Sequence, residues 1–473
     1  MHLQYRFRFS INHVMKPARL LCGALLCTLL ASCASLPDIR SLPTRAATNG
    51  APTIENAEGD LSAAKAKSLI ARRVRGSRTD IAKLAAMEEA ATGSPLIAGN
   101  RTTLLFDGPQ ATGAMLDAIR NAQDNINLET YIFDQDELGT QFADLLIEKQ
   151  RAGVQVNILY DSIGSLETPR AFFDRMRDAG IKIIEFNPVN PLRRAGSWRL
   201  NNRDHRKIMV VDGKIAFTGG VNITEDYVRS SLFRSGSSGR RGAGELGWRD
   251  THIQIEGPAV AAMQLLFLDA WASQKEGEIP DRTYFPPLPD VGDKLVRVLG
   301  SKPGGDFEIY KAYVLAIQES RKSIHLTAAY FAPDVQLLEA VTAAAKRGVD
   351  VKVIFPSISD AGLVFQAGRS FYTELLDAGV QIYQLKASVL HAKTAVIDST
   401  WSTVGSANLD VRSFLHNSEA NLIILGSDFG ATMEAAFAED LKNSTPVTKE
   451  EWANRPFSQR VKEWAARNFE YWL

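Results

Sequence analysis

Apolar runs of strand length alternate with amphipathic stretches along most of the chain. From Asp60 to Ala91, Leu61, Ala64, Leu69, Ile81, Leu84 and Met87 fall near a 3.6-residue period, with a break at Gly76-Ser77. That pattern predicts helices over 60–99. Beyond it the pattern repeats itself. INLETYIF (126–133) returns as IHLTAAYF (324–331), RAGVQVNILYDSIGS around Gly153 as KRGVDVKVIFPSISD around Gly348, and DAGIKIIEF around Gly180 as DAGVQIYQL around Gly379. Each half reads as apolar strand, Ala- and Leu-rich helix, glycine at the helix end, then another apolar strand. Strands alternating with helices predict an α/β architecture, with mostly parallel or mixed sheets covered by helices.

The segments that do not fit this pattern predict the rest of the organisation. Residues 1–32 carry Arg6, Arg8, Lys16 and Arg19 with no acid, then the apolar run LLCGALLCTLLAS. That run would rise about 20 Å as a helix, short of a hydrocarbon core of about 30 Å, so it reads as a signal peptide. Leu30-Ala31-Ser32-Cys33 looks like a bacterial lipobox, which predicts a lipid on Cys33 and a tether without a spanning helix. By resemblance to enterobacterial lipoproteins, Ala34 after the cysteine favours the outer membrane over the inner, on the periplasmic side of a bacterial cell envelope. Met15-Lys16 offers a second plausible start. Residues 33–59, rich in Pro, Ala, Thr and Ser, read as a lipid-anchored linker. The boundaries are then 60–99 for a helical segment, 100–285 for a first duplicated domain and 286–473 for a second.

Composition narrows the class. At 473 residues, 45% hydrophobic and 23% charged, the chain is ordinary globular protein of two or three domains, which excludes wholesale disorder or a disulfide-rich miniprotein. Net charge is zero and turns negative once residues 1–32 are removed, which disfavours a nucleic-acid binder. The cysteines, Cys22, Cys27 and Cys33, all lie near the N-terminus, so the body of the chain holds no thiolate chemistry.

Each half carries one further block. The first has His205-Arg206-Lys207, Asp212 and Gly219-Gly220-Val221-Asn222; the second has His391-Ala392-Lys393, Asp398 and Gly405-Ser406-Ala407-Asn408, at identical spacing. Residues two apart on an extended run share a face. A histidine beside a lysine suits a phosphate: a compact cation for its oxygens, and a nucleophile or proton carrier working near neutral pH. Asn222, Asn408 and Ser406 add hydrogen bonds to phosphoryl oxygens, and Gly219 and Gly405 let backbone approach a ligand. Neither half suffices, because transfer through a covalent intermediate needs a nucleophile and an acid. Two halves facing across a pseudo-two-fold axis supply both.

These paired blocks resemble the signature of the phospholipase D superfamily. From about Asn100 onward the chain looks most like bacterial cardiolipin synthases, on the stretches FYTELLDAGVQIYQL, VGSANLDVRSFLHNSEANL, GWRDTHIQIEGPAV and RPFSQRV. The resemblance implies two pseudo-symmetric phospholipase D-like domains with one active site at their interface. It implies a phosphohistidine on one motif histidine, His205 being favoured, while the other, His391, protonates the leaving alcohol and deprotonates the incoming one. Lys207, Lys393, Asn222 and Asn408 would bind phosphate. Gly220 stands where the second half has Ser406, so one hydroxyl contact is absent there. The resemblance also pairs each histidine with a downstream carboxylate: Glu419 in the second half and, past a Gly/Ser/Arg-rich insertion at 230–245, Asp250 in the first. Asp212 and Asp398 take structural roles at strand ends. The scheme calls for no metal and no cofactor.

The implied reaction transfers a phosphatidyl group from phosphatidylglycerol to a second phosphatidylglycerol, releasing glycerol. A hydrolytic phospholipase D making phosphatidic acid is the alternative, and a nuclease on the same scaffold a remoter one. His252, His325 and His416 read as structural. Two basic features face anionic lipid on this reading: Arg193, Arg194 and Arg199, and an aromatic C-terminal segment with Trp452, Trp464 and Trp472. A helix docked on the core is the equal alternative for the latter.

Overall fold

The computed structural model describes residues 35–39, 52–74, 76–190, 201–228, 247–274 and 277–469. The chain divides at Pro37 and Asp38 into two units, and residues 35–37 carry no regular structure. Residues 1–32, read above as a signal peptide, Cys33, the three arginines at 193, 194 and 199, the insertion at 230–245 and Trp472 lie outside the described residues.

The second unit is built from two sheets of the same design. In the first half Lys182–Phe186, Gln155–Asp161 and Asn125–Thr130 run parallel. Ile208–Val211, Ile215–Gly219, His252–Glu256 and Leu96–Leu105 then continue the sheet antiparallel. The second half repeats this order: Gln381–Leu385, Asp350–Pro356 and Ser323–Ala328 parallel, then Lys393–Ile397, Trp401–Gly405, Asn417–Leu425 and Lys294–Ser301 antiparallel. The edge strands Leu96–Leu105 and Lys294–Ser301 pair with each other and join the halves. The sheets are therefore mixed. Strand–helix alternation predicts the parallel trio; the chain then returns through hairpins, which needs no crossover helix.

Helices cover the faces, and local chemistry sets their ends. Asp107, Asp136 and Asp334 accept from backbone amides at the starts of Gly108–Asn121, Glu137–Arg151 and Val335–Lys346. Gly153, Gly180, Gly348 and Gly379 follow helix ends with positive φ, as the repeated Ala-Gly and Arg-Gly pairs predict. An apolar core lies between the two sheets, where Val210 and Ile255 from the first half cluster with Val404 and Leu422 from the second.

The segment 60–99 contains the helices Ala63–Arg73 and Ile81–Thr92, but strand Leu96–Leu105 begins inside it, and Ile54–Asn56, within the linker composition, forms a strand parallel to it. Glu88 from the second helix is fully buried, pairs with Arg297 and accepts from Trp401 Nε1 at 2.8 Å. The helical segment is thus packed into the second half.

Candidate active site

Two short strands decide the geometry. Arg203–Asp204, immediately before His205, runs parallel to Asn417–Ser418, immediately before Glu419. Val389–Leu390, before His391, runs parallel to Trp248–Arg249, before Asp250. His205 N donates to Ser418 O at 2.9 Å and His391 N donates to Arg249 O at 2.8 Å. Each histidine is thereby held beside the carboxylate of the other half. His205 Nδ1 lies 3.0 Å from both oxygens of Glu419. His391 Nδ1 lies 2.7 Å from Asp250 Oδ2. Sequence order suggests that a downstream carboxylate serves the histidine of its own half; the structure crosses them, because the paired strands come from opposite halves.

Both imidazoles line one cavity of about 280 Å³, with Asn222 and Asn408. Since each Nδ1 faces a carboxylate, each Nε2 is the ring nitrogen left for the cavity. Lys207 Nζ donates to His205 O at 2.6 Å, and Lys393 Nζ donates to His391 O. Both lysines are buried, and neither is among the residues that line the cavity, where the sequence placed them as phosphate ligands. The residue between each histidine and its lysine turns away: Arg206 donates to Glu419 O at 3.2 Å and to Ser301 O at 3.0 Å, and Ala392 is wholly buried.

Burial drives the electrostatics. It pushes His205 down to about 4, against the opposing pull of Glu419. Burial and then Lys393 hold His391 well below its ordinary value. Burial lowers Lys207 to about 7 and Lys393 to about 8. It raises Asp250 to about 6, with Lys393 opposing. Burial also works to raise Glu419, but His205, Lys207 and the Ser406 hydroxyl together hold it below the usual glutamate value. The His–Lys groups beside the cavity are therefore buried bases that lose their protons easily, and an anion bound there would restore protons to them.

Several residues sit differently from the sequence-based expectation. Ser406 does not face the cavity: it is wholly buried, its Oγ donates to Glu419 Oε2 at 2.5 Å, and Ala420 N donates to it at 2.9 Å. Gly220 likewise meets no substrate space. A Cβ there would come within 2.2 Å of Asp250 Oδ1. Gly219 and Gly405 admit a neighbouring strand rather than a ligand: a Cβ would lie 2.5 Å from Thr251 O in one and 2.4 Å from Ala420 O in the other. Asn222 reaches the cavity edge, but its Nδ2 donates to Tyr227 Oη at 3.0 Å and its Oδ1 accepts from Ile132 N at 3.3 Å.

Asp212 accepts from the amides of Gln123, Asp124 and Asn125, and Asp398 from those of Arg321, Lys322 and Ser323. Each carboxylate gathers the backbone at the start of its half's first parallel strand, from a position of positive φ. His325 is remote from the cavity lining; it contacts Glu434 at 2.7 Å and stacks on Phe437. His252 is buried, and burial lowers it to about 4. His416 is buried at the end of Val411–Leu415, and its carbonyl accepts from Arg203 N.

The sequence reading missed an aromatic frame. Tyr131 packs edge-on against His205 with Lys207 Nζ 5.1 Å from its ring; Tyr330 packs edge-on against His391 with Lys393 Nζ 6.0 Å away. Their signal was available, since both copies of the first duplicated strand run end in tyrosine and an aromatic. Trp248 lies 4.8 Å from the His391 ring, and Tyr227 Oη lies 3.1 Å from its Nδ1. These two have no counterpart in the repeat to betray them. Among the described residues no cluster of His, Cys, Asp and Glu is placed to hold a metal ion.

A duplicated sheet presenting two His–x–Lys units to one cavity defines a phospholipase D-like protein. The solved phosphatidylserine synthase of Haemophilus influenzae has this fold, with a TM-score of 0.61 at 14% identity over 79% of this chain and 95% of that one. The family model described as "Cardiolipin synthase, PLD-like domain" matches residues 115–232 and 313–441, and the chain belongs to that family. Similar relatives include a cardiolipin synthase of Alkalihalophilus pseudofirmus, 34% identical over 79% of this chain and 72% of its own length. Cardiolipin synthase 1 of Bacillus cereus is 36% identical over 78% and 72%.

Proposed function

We propose that this protein is a cardiolipin-forming phosphatidyltransferase working through a phosphohistidine. The observation that carries the reading is the pair of imidazoles on one cavity, each oriented by a carboxylate from the opposite half. Membership of the family and the names of its relatives supply the substrate class.

His205 Nε2 attacks the phosphorus of phosphatidylglycerol and the bond from phosphorus to the glycerol headgroup oxygen breaks. His391 Nε2 gives its proton to that oxygen, and glycerol leaves. A hydroxyl of a second phosphatidylglycerol then loses its proton to His391 and attacks phosphorus, and the phosphorus–nitrogen bond breaks. Cardiolipin leaves with His205 neutral and His391 protonated again. His205 is the nucleophile because Glu419, held ionised, pulls on Nδ1–H and leaves Nε2 electron-rich and neutral. His391 gains its proton when the diester anion binds against it, with the Trp248 and Tyr330 rings packed around the imidazole. Lys207 and Lys393 offset the charge that develops on phosphorus.

On the same reading the protein is tethered by a lipid on Cys33 to the periplasmic side of a bacterial envelope, the outer membrane before the inner. The lipobox sequence supports it. Metabolic labelling with palmitate, lost in Cys33→Ser, with membrane fractionation, tests that part.

The reaction is tested with purified protein and vesicles of headgroup- and acyl-labelled phosphatidylglycerol. Cardiolipin with released glycerol, absent in His205→Ala and His391→Ala, is the expected result. Phosphatidic acid as the sole product would make the protein a hydrolase. No lipid turnover by the wild type would overturn the lipid assignment.

A further inference from the structure

The C-terminal helix Phe457–Arg467 is packed inside out. Its core-facing side carries Glu463, only 2% exposed, paired with Arg369 and Arg455 at 3.3 and 2.8 Å. Its outward side carries Phe457, Val461 and Trp464, which are 80%, 45% and 71% exposed and stand one turn apart. A helix that docks to complete a core does the reverse. The exposed charges of this helix are all basic: Lys462, Arg460, which also donates to Ala453 O, and Arg467, which lies over Phe371 and 3.7 Å from Glu374.

The stripe is also placed with respect to the cavity. Gly362–Arg369 packs directly on the C-terminal helix, through Gln459–Gln366 and Glu463–Arg369 contacts. On that helix Val364 lines the cavity of the two histidines, while Leu363 is 50% exposed. Leu363 stands beside Val364 at the cavity and one turn before Gln366, which meets Gln459 of the C-terminal helix. The cavity, about 280 Å³, has room for a headgroup phosphodiester and not for paired acyl chains.

We infer that Phe457, Val461 and Trp464, with Leu363, form a lipid-docking face that seats the cavity mouth on an anionic bilayer, so that a headgroup enters while its acyl chains stay in the membrane. The inference rests on the lipid-substrate reading above. Aromatic and branched side chains enter the interface while flanking Arg460 and Lys462 meet anionic headgroups. Because the outward face contributes little to packing, its replacement leaves the fold intact.

The test uses full-length protein and vesicles of phosphatidylglycerol whose acyl chains are brominated near the headgroup. Trp464 fluorescence, taken as the difference between wild type and Trp464→Phe, is expected to be quenched. The triple variant Phe457→Ser, Val461→Ser, Trp464→Ser is expected to lose at least tenfold in kcat/KM on vesicles. Its turnover of monomeric short-chain phosphatidylglycerol stays within twofold of wild type. Quenching in a protein that forms no cardiolipin would sink the transferase reading and leave the docking face standing. Unquenched Trp464, or equal losses on both substrates, would overturn the docking face. So would a change from dimer to monomer in the triple variant by light scattering, which would assign the stripe to a second copy.

Discussion

The two halves of the site are built to one plan and tuned differently. On the His205 side the orienting group is a glutamate, which reaches Nδ1 with both oxygens and is itself held by the Ser406 hydroxyl. On the His391 side it is an aspartate, one methylene shorter, which reaches Nδ1 with one oxygen and leaves room for Tyr227 Oη beside it. The shorter carboxylate comes so close to the backbone that only glycine fits at 220. Burial works to raise both carboxyls, but its opposition differs: His205, Lys207 and Ser406 hold Glu419 low, while Asp250 is raised to about 6 despite Lys393. A duplicated unit has diverged into a histidine held for attack, over a firmly ionised carboxylate, and one held for proton exchange, in an aromatic surround.

The largest effect that would test this division is loss of either histidine. His205→Ala and His391→Ala should each lower turnover by about 10⁴-fold or more. Only His391→Ala should still form an acid-labile phosphoenzyme from a labelled phosphodiester whose leaving group needs no proton. Label retained in His205→Ala and lost in His391→Ala would reverse the assignment.

The crossed carboxylates come next. Glu419→Gln and Asp250→Asn should each cost about 10²–10⁴-fold in kcat, with little change in KM, since they orient and stabilise imidazoles rather than bind lipid. On a phosphodiester whose leaving group needs no proton, Asp250→Asn should still form phosphoenzyme at close to the wild-type rate, and Glu419→Gln should not. Equal effects on both steps from both variants would erase the asymmetry.

The pH profile follows. With His205 near 4, the attacking ring is already neutral through the physiological range. Lys207, near 7, and Lys393, near 8, lose their protons as pH rises through those values. The kcat/KM of free enzyme should therefore fall on the alkaline side from about pH 7 to 8, and kcat should fall later, because bound phosphate restores the protons. An alkaline limb beginning only near 10 would show that the lysines are not the buried pair described.

The smallest effects distinguish the supporting residues. Ser406→Gly should reduce kcat about tenfold by freeing Glu419, losing one charge-assisted hydrogen bond worth about 1.5–3 kcal/mol at most. Gly220→Ser should cost more than Ser406→Gly despite copying the other half's residue, because its Cβ collides with Asp250. Kinetics and thermal melting of both variants would measure this, and a harmless Gly220→Ser would contradict the geometry.

Much of the fold was legible because its signals are local and repeated. Strand runs beginning just after Gly153 and Gly348, the helix-ending glycines and the identical His-x-Lys spacing each depend on backbone periodicity within a few residues. The same locality explains the misassignments. Ser406 and Asn408 look alike from sequence as donors beside a phosphate, yet a Ser406 side chain points to Glu419 and only Asn408 and Asn222 reach the cavity. Tyr227 and Trp248 flank the insertion at 230–245, and nothing in the repeat marks either of them.

By itself the sequence determined that there are two copies of one strand–helix unit, that each presents a histidine and a lysine on one side of the chain, and that both copies are needed. Period two and the duplicated spacing suffice for that. Which carboxylate serves which histidine was decided only in the tertiary structure. His205 and Glu419 are 214 residues apart, and His391 and Asp250 are 141 apart. Their meeting depends on short strands exchanged between halves, and no local preference along the chain encodes a partner at that distance.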